Sequence, residues 1–150
     1  MTDNIAPNHP SVTNQQFSCF VAGIPRPAGS KTAIYAHDRI ILLDGKTQLA
    51  RQSHSAWRET VAVTVKAQAK HLGDLKGACK IKLEFVLRAP KQKKHPEPII
   101  RPDIDKLVRS VLDACTGILY YDDAQIVSLV ATKRYANDCE SAGVYINLIR

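Results

Sequence analysis

The alternation of apolar and polar residues predicts a chain built mostly from strands. From Cys79 to Arg88 every second residue is apolar, which is typical of a strand with one buried face. Shorter runs with β-branched or aromatic residues predict further strands at 17–22, 33–35, 39–43, 126–135 and 144–148. The strands at 33–35 and 39–43 flank a turn, so we expect them to form a short hairpin.

Apolar spacings of three and four residues predict two helices. The first begins between residues 47 and 55 and ends near 72–73, with Trp57 in the core and with its charged residues, among them Arg58, in solvent. The second covers residues 104–115, with an apolar stripe formed by Ile104, Leu107, Val108, Val111, Leu112 and Cys115. Pro102 suits its N-terminal side and Gly117 its end.

The order is strand, hairpin, helix, strand, helix, strand, strand, which predicts an α+β fold. We expect a two-layer sandwich of two main helices against a mixed or antiparallel sheet. Residues 17–150 are long enough for one domain with a real core. Residues 1–16 are polar and lack an apolar pattern, so we expect a disordered or loosely attached tail.

Composition adds a bias towards anionic partners. The formal net charge is +7 and the isoelectric point about 9.4, which favours nucleic acid, although charge alone also fits a merely soluble basic protein. The four cysteines lie far apart without metal-ligand spacing, so we expect them to be reduced. With no membrane-length apolar run and no signal segment, the expected location is the cytoplasm, with no membrane partner.

Carboxylates gather in this otherwise basic chain around the second helix. Asp103 and Asp105 open it, and Asp122 and Asp123 follow it. Oxygen ligands of this kind suit Mg²⁺, and two such ions can hydrolyse a phosphodiester. Each aspartate also has an ordinary interpretation, as a helix cap, a first-turn acid or a turn residue. Inside a helix, the side chains of residues i and i+2 point in nearly opposite directions. Asp103 and Asp105 can therefore share a metal site only if Asp103 lies at or before the N-cap, which is where we expect it.

A basic, proline-rich segment leads directly into this acidic region. Residues 89–100 carry Lys91, Lys93 and Lys94, and their prolines disfavour helix and sheet. Such a run is usually a solvated surface, but its position favours a flexible loop that binds phosphates. The Gly- and Pro-rich loop after the first strand, which ends at Lys31, is a second candidate for DNA contact.

The segment RPDIDKLVRSVLDACTGILYYDDAQIV resembles the signature of RusA-like Holliday-junction resolvases, small dimeric Mg²⁺-dependent endonucleases often encoded by phages. The resemblance is strongest over 101–133 and collinear from about residue 17. It implies that Asp103, Asp105 and Asp123 bind the metal. Two positions depart from the pattern: Lys106 replaces an Asn, and Arg109 replaces the catalytic Lys.

The resemblance also implies a function and partners. We expect paired nicks in four-way DNA junctions during recombination and repair, by a homodimer that uses Mg²⁺, with Mn²⁺ as a substitute. The two departures leave open a non-catalytic module that binds branched DNA or other nucleic acid. For the enzyme we expect the three metal-binding carboxyl groups within about 8 Å of one another. The residues expected to contact DNA are Lys31, Lys91, Lys93, Lys94, Arg101 and Lys106.

Overall fold

Eight strands and helices follow one another in the predicted order. The structure, a computed structural model, describes residues 15–29, 31–36, 39–44 and 48–150, and the side chains of 15–29 and 52–150. The elements are β1 (Gln16–Ala22), β2 (Lys31–Ala36), β3 (Arg39–Asp44), α1 (Gln48–Gln68), β4 (Cys79–Leu87), α2 (Ile104–Cys115), β5 (Ile126–Tyr135) and β6 (Gly143–Ile149). Residues 1–14 of the expected tail at 1–16, and the turn at 37–38, lie outside the described residues.

Four of the strands form one mixed sheet in the order β1-β6-β4-β5. The β1/β6 and β6/β4 pairs are antiparallel, whereas β4 and β5 are parallel. β2 and β3 form the predicted antiparallel hairpin as a separate two-stranded sheet. The predicted α+β class with a mixed sheet is therefore confirmed. The boundary of the expected tail is corrected slightly, because β1 already begins at Gln16 and the Gln15 carbonyl accepts a hydrogen bond from Arg150 N.

The core lies between the two helices and one face of the sheet. Its largest fully buried side chains include Phe85 on β4, Phe17 on β1 and Leu107 on α2. Trp57 is buried, as predicted. Among the described side chains of α1, the buried ones lie four residues apart, at Trp57, Val61 and Val65, and Ala69 continues this stripe just after the helix, whereas Val63 is 63% exposed.

The outer edge of the sheet differs from its sequence pattern. Val127, Leu129 and Ala131 alternate along β5 and therefore share one face of the strand, but Val127 and Leu129 are 65% and 43% exposed. The reason is topological: β5 is an edge strand with a neighbour on one side only. Ala131, further along the strand, is half-buried against the core.

The cysteines behave as the sequence predicted. Cys19, Cys79 and Cys115 are buried and free, and Cys139 is exposed and free. Burial raises the pKa of the Cys19 thiol to about 11 and that of Cys115 to about 12. These two thiols stay protonated at neutral pH and pack as small apolar groups. None of the described helices is long and apolar enough to cross a membrane.

Gly143 gives a stability prediction for the β1/β6 pair. A Cβ at this position would lie 2.3 Å from the Val21 carbonyl oxygen and 2.5 Å from Phe20 Cζ. We expect Gly143→Ala to lower the free energy of unfolding by roughly 1–3 kcal/mol, the usual cost of overpacking. Gly73→Ala is the matched control, because its Cβ would meet only the flexible end of the Gln15 side chain. Denaturant unfolding of both variants checks this, and equal midpoints would contradict it.

Candidate functional site

The N-terminus of α2 holds two of the predicted site residues in the predicted arrangement. Asp103 is the N-cap residue with extended backbone angles, φ −70° and ψ 136°, and Asp105 lies in the first turn. The Asp103 carbonyl accepts the first helical hydrogen bond from Leu107 N, but its side chain caps no backbone group. Its carboxylate is therefore available to other groups.

Positive charge surrounds Asp103. Lys106 Nζ donates a hydrogen bond to Asp103 Oδ2 at 3.0 Å. This bond and the charge of Lys106, with smaller contributions from Arg101 and Lys133, lower the pKa of Asp103 below its ordinary value. The carboxylate is thus anionic at neutral pH. The ammonium of Lys106, a residue expected to contact DNA, is thus bonded to Asp103, and its contact with DNA stays a prediction.

Lys133 is a residue of this region that the sequence did not reveal. Its ammonium donates hydrogen bonds to the carbonyl oxygens of Ile100 and Pro102, at 3.0 and 2.9 Å. These hydrogen bonds link β5 to the segment that precedes α2. The available signal was its position two residues after Ala131, on the face of β5 that packs against the core.

The two carboxylates of the second acidic pair, Asp122 and Asp123, have different surroundings. Asp122 caps a short 3₁₀ turn, Asp123–Gln125, by accepting a hydrogen bond from Ala124 N at 2.8 Å. Gln125 Oε1 accepts from the amides of Tyr121 and Asp122, and its Nε2 donates to two carbonyls ahead of β4. Within the described residues the Asp123 side chain makes no hydrogen bond or ion pair, so this carboxylate is free to bind a ligand.

Asp123 faces a cleft of about 460 Å³ together with two residues of α2. Arg109 and Asp113, one helical turn apart, form that side of the cleft. The family resemblance aligned Arg109 with a catalytic Lys, and the structure brings Arg109 and Asp123 to the same cleft. Asp113 was not among the predicted site residues.

The other walls come from α1 and from the loop after β1. His54 and Arg58 project from α1, and Ala28 and Gly29 close the cleft from the loop. The loop is held in place because Ala28 N donates a hydrogen bond to the Lys106 carbonyl oxygen at 2.9 Å. Arg58 was expected to lie in solvent with the other charged residues of this helix, but it is half-buried and lines the cleft.

The predicted metal ligands are not assembled into one group. Asp103 and Asp105 do not line the cleft that holds Asp123, and no three His, Cys, Asp or Glu side chains of the described chain form a group that could hold a metal ion. The expected close cluster is therefore not confirmed. β5 does return along α2, but Lys133 rather than Asp123 reaches the start of this helix, which is about 18 Å long.

The basic segment has the irregular structure that the sequence predicted. Residues 88–103 contain neither helix nor strand, and Lys91, Lys93, Lys94 and Arg101 are all exposed. The Lys93 ammonium lies 5.1 Å from the centre of the Tyr135 ring, a cation–π contact. Lys31 begins β2, and its side chain lies outside the described part of the chain.

Comparison with known proteins identifies the family. The chain matches a relative from Bacillus subtilis (strain 168), the uncharacterized protein YqaN, with 39% identity over 41 residues, covering 27% of this chain and 29% of that protein. The family described as endodeoxyribonuclease RusA matches residues 26–148, a range that contains the cleft, the basic segment and both acidic pairs. The chain therefore belongs to the endodeoxyribonuclease RusA family.

Proposed function

We propose that this protein is a Mg²⁺-dependent, structure-selective endonuclease that resolves four-way DNA junctions in recombination and repair. It cuts by phosphodiester hydrolysis, with a pair of symmetric nicks. The observation that carries the proposal is the family match over residues 26–148, because it spans every residue proposed for chemistry. The charge distribution supports it: unengaged carboxylates sit within a chain of net charge +7.

Asp103, Asp105 and Asp123 are the proposed ligands of Mg²⁺, with Mn²⁺ as a substitute. All three offer the hard oxygen atoms that such an ion prefers, with Asp105 and Asp123 exposed and Asp103 anionic, but within the described chain they do not form one metal-binding group. Mg²⁺ is usually held by one or two carboxylates plus substrate phosphates, so the DNA itself supplies part of the site. When bound, the ion supplies electrostatic stabilisation of the phosphate and activation of water.

Arg109 is the proposed electrostatic partner of the reacting phosphate. Its guanidinium lies in the cleft with Asp123 and makes no ion pair among the described residues. A guanidinium does not lose its proton near neutral pH, so Arg109 cannot act as a base as a lysine could. Its role is to bind and stabilise the negative charge that grows on the phosphate oxygens.

The exposed cations around the site are proposed to hold the DNA backbone. Lys91, Lys93, Lys94 and Arg101 lead along the irregular segment to the start of α2, and neutralising phosphates with such residues gives most of the affinity for DNA. Lys106 and Lys31 complete the proposed set. Because two symmetric nicks require two sites, we propose a homodimer with twofold symmetry.

A second candidate function is a module that binds branched DNA without cutting it. The observation that favours it is the ion pair between Lys106 and Asp103, since it places a cation where the metal would be. The lack of a three-carboxylate group within the described residues points the same way. The two functions differ in one requirement: only the enzyme needs Mg²⁺ for its product to form.

Incubation with a labelled four-way junction, with and without Mg²⁺, separates the two functions. A linear duplex of the same sequence is the matched substrate. The nuclease nicks the junction in Mg²⁺, leaves the duplex intact and stops in chelator, while its binding persists. Junction binding without nicks in Mg²⁺ or Mn²⁺ would select the binding module instead.

Lys106→Asn tests the competition between the lysine and the metal for Asp103. Removing the ammonium frees the carboxylate, so we expect half-maximal cleavage at about two- to five-fold lower Mg²⁺, the range of an exposed ion pair. Lys106→Arg is the control, because it retains the charge beside Asp103. A Mg²⁺ titration of the single-turnover rate measures the effect. An unchanged or higher requirement in Lys106→Asn would show that Asp103 and the ion do not meet.

A further inference from the structure

We propose that Arg58 of α1 binds the phosphodiester group at the cleavage position, on the opposite wall of the cleft from Arg109. This assignment rests on the proposed nuclease function and adds to it a phosphate contact from the other helix. The ligand class is a DNA phosphodiester, held between two guanidinium groups.

The first observation is the state of the Arg58 side chain. Its Nε atom is buried and has no hydrogen-bond acceptor among the described residues. A buried charged donor without a partner is costly, and such groups are normally satisfied by the protein, by water or by a ligand. An anion in the cleft would satisfy it, and phosphate oxygens match the planar fork of a guanidinium.

The second observation is that the charges of the cleft do not neutralise one another. Arg58 and Arg109 share it with Asp113 and Asp123, yet none of these four side chains forms an ion pair among the described residues. Arg109 and Asp113 are spaced as i and i+4, where an ion pair is readily made. Both arginines are therefore available to an external anion.

The third observation concerns the volume of the cleft and the loop after β1 that forms one of its walls. Its volume of about 460 Å³ is large enough for one nucleotide unit. Gly29 has no side chain, and the loop that carries it is fixed to α2 through Ala28 N and the Lys106 carbonyl. The proposal therefore places a single backbone phosphate beside this loop, in the cleft that both arginines line.

Cleavage by Arg58→Gln is the first test. Arg58→Gln removes a charge-assisted hydrogen bond to the charge that develops on the phosphate, so the single-turnover cleavage rate of this variant should be about 10- to 100-fold lower than that of wild type. Junction binding without metal should change by less than about three-fold, because one contact among many is lost. Lys66→Gln is the matched control on the same helix, since Lys66 is exposed and lies outside this cleft. Arg58→Lys, which keeps the charge but loses the fork, should fall between wild type and Arg58→Gln.

A second measurement does not depend on activity or on the folding of a variant. In the wild-type protein, the Nε–H nuclear magnetic resonance signal of Arg58 is titrated with a thymidine dinucleotide, whose only anionic group is a phosphodiester. The proposal expects this signal to shift with saturation, together with that of Arg109.

The outcomes separate the two proposals. If wild type cuts junctions and Arg58→Gln matches Lys66→Gln, the Arg58 assignment is overturned while the nuclease function stands. If wild type fails to cut in Mg²⁺, the nuclease function fails, and the dinucleotide titration alone decides whether Arg58 binds a phosphodiester. A static Arg58 signal at saturating dinucleotide overturns the assignment in every case.

Discussion

Asp103→Asn and Asp123→Asn are each expected to reduce junction cleavage by more than about 100-fold while leaving junction binding intact or tighter. Each change removes a proposed metal ligand, and losing one electrostatic partner of a transition state commonly costs 10²- to 10³-fold. Each also removes a negative charge that repels DNA phosphates, which is why binding is retained. Single-turnover cleavage and gel-shift titration of the same preparations measure the two effects.

Asp138→Asn is the matched control for these two variants. Asp138 is an exposed aspartate in the turn between β5 and β6 and takes part in no hydrogen bond or ion pair of the described chain. It changes the net charge by the same amount without touching the proposed site, so cleavage should stay at the wild-type rate. Near-normal cleavage by Asp103→Asn or by Asp123→Asn would remove that residue from the metal site.

The second large effect is expected in the basic segment. Replacing Lys91, Lys93 and Lys94 together by Gln should weaken junction binding and flatten its dependence on salt. Each phosphate contact contributes about 0.9 to the slope of log affinity against log salt, so the slope should fall by up to about 2.7. The three side chains are fully available for such contacts, since all are exposed. Affinities at several salt concentrations give the slope directly.

A triple replacement elsewhere separates local contact from net charge. Lys66, Lys70 and Lys82 are also exposed; they lie at the end of α1, in the short turn after it and in the middle of β4, and none of them lines the cleft. Their replacement by Gln removes the same charge, and the salt slope should then stay close to that of wild type. An unchanged slope in the Lys91, Lys93 and Lys94 variant would show that the segment is a solvated surface.

The elements were predictable because their patterns are local. In β4 and α2 the buried residues lie on one face, which gives each element a regular apolar spacing in the sequence. The predicted bounds of both elements are therefore within a residue or two of the observed ones. The N-cap position of Asp103 was predictable for a similar reason: two acids at i and i+2 cannot share a face inside a helix.

The tertiary part of the site was not predictable from such patterns. Arg58 has the spacing of a solvated residue on α1, and only the packing of α1 beside α2 brings it into the cleft with Arg109. Lys133 lies on β5, and only the parallel pairing of β5 with β4 brings it to Pro102. Contacts between residues far apart in sequence follow from the topology, which periodicity does not encode.

The two adjacent aspartates after α2 show the same limit at close range. They are neighbouring residues of the same type, yet the Asp122 carboxylate caps a turn whereas Asp123 faces the cleft. The difference depends on the Gln125 side chain, which bonds to the Leu75 and Gly77 carbonyls 50 and 48 residues away. The family resemblance singled out Asp123 as the ligand, and spacing alone did not.

Cleavage of a supercoiled plasmid that carries a cruciform tests the central claim most directly. Two symmetric nicks made within one bound complex give a linear product, whereas uncoordinated nicking accumulates open circles. The proposed function predicts linear plasmid in Mg²⁺, none in chelator and none from a plasmid without the cruciform. A cruciform that is bound but stays supercoiled in Mg²⁺ and Mn²⁺ would contradict the proposal that this protein is a junction-resolving nuclease.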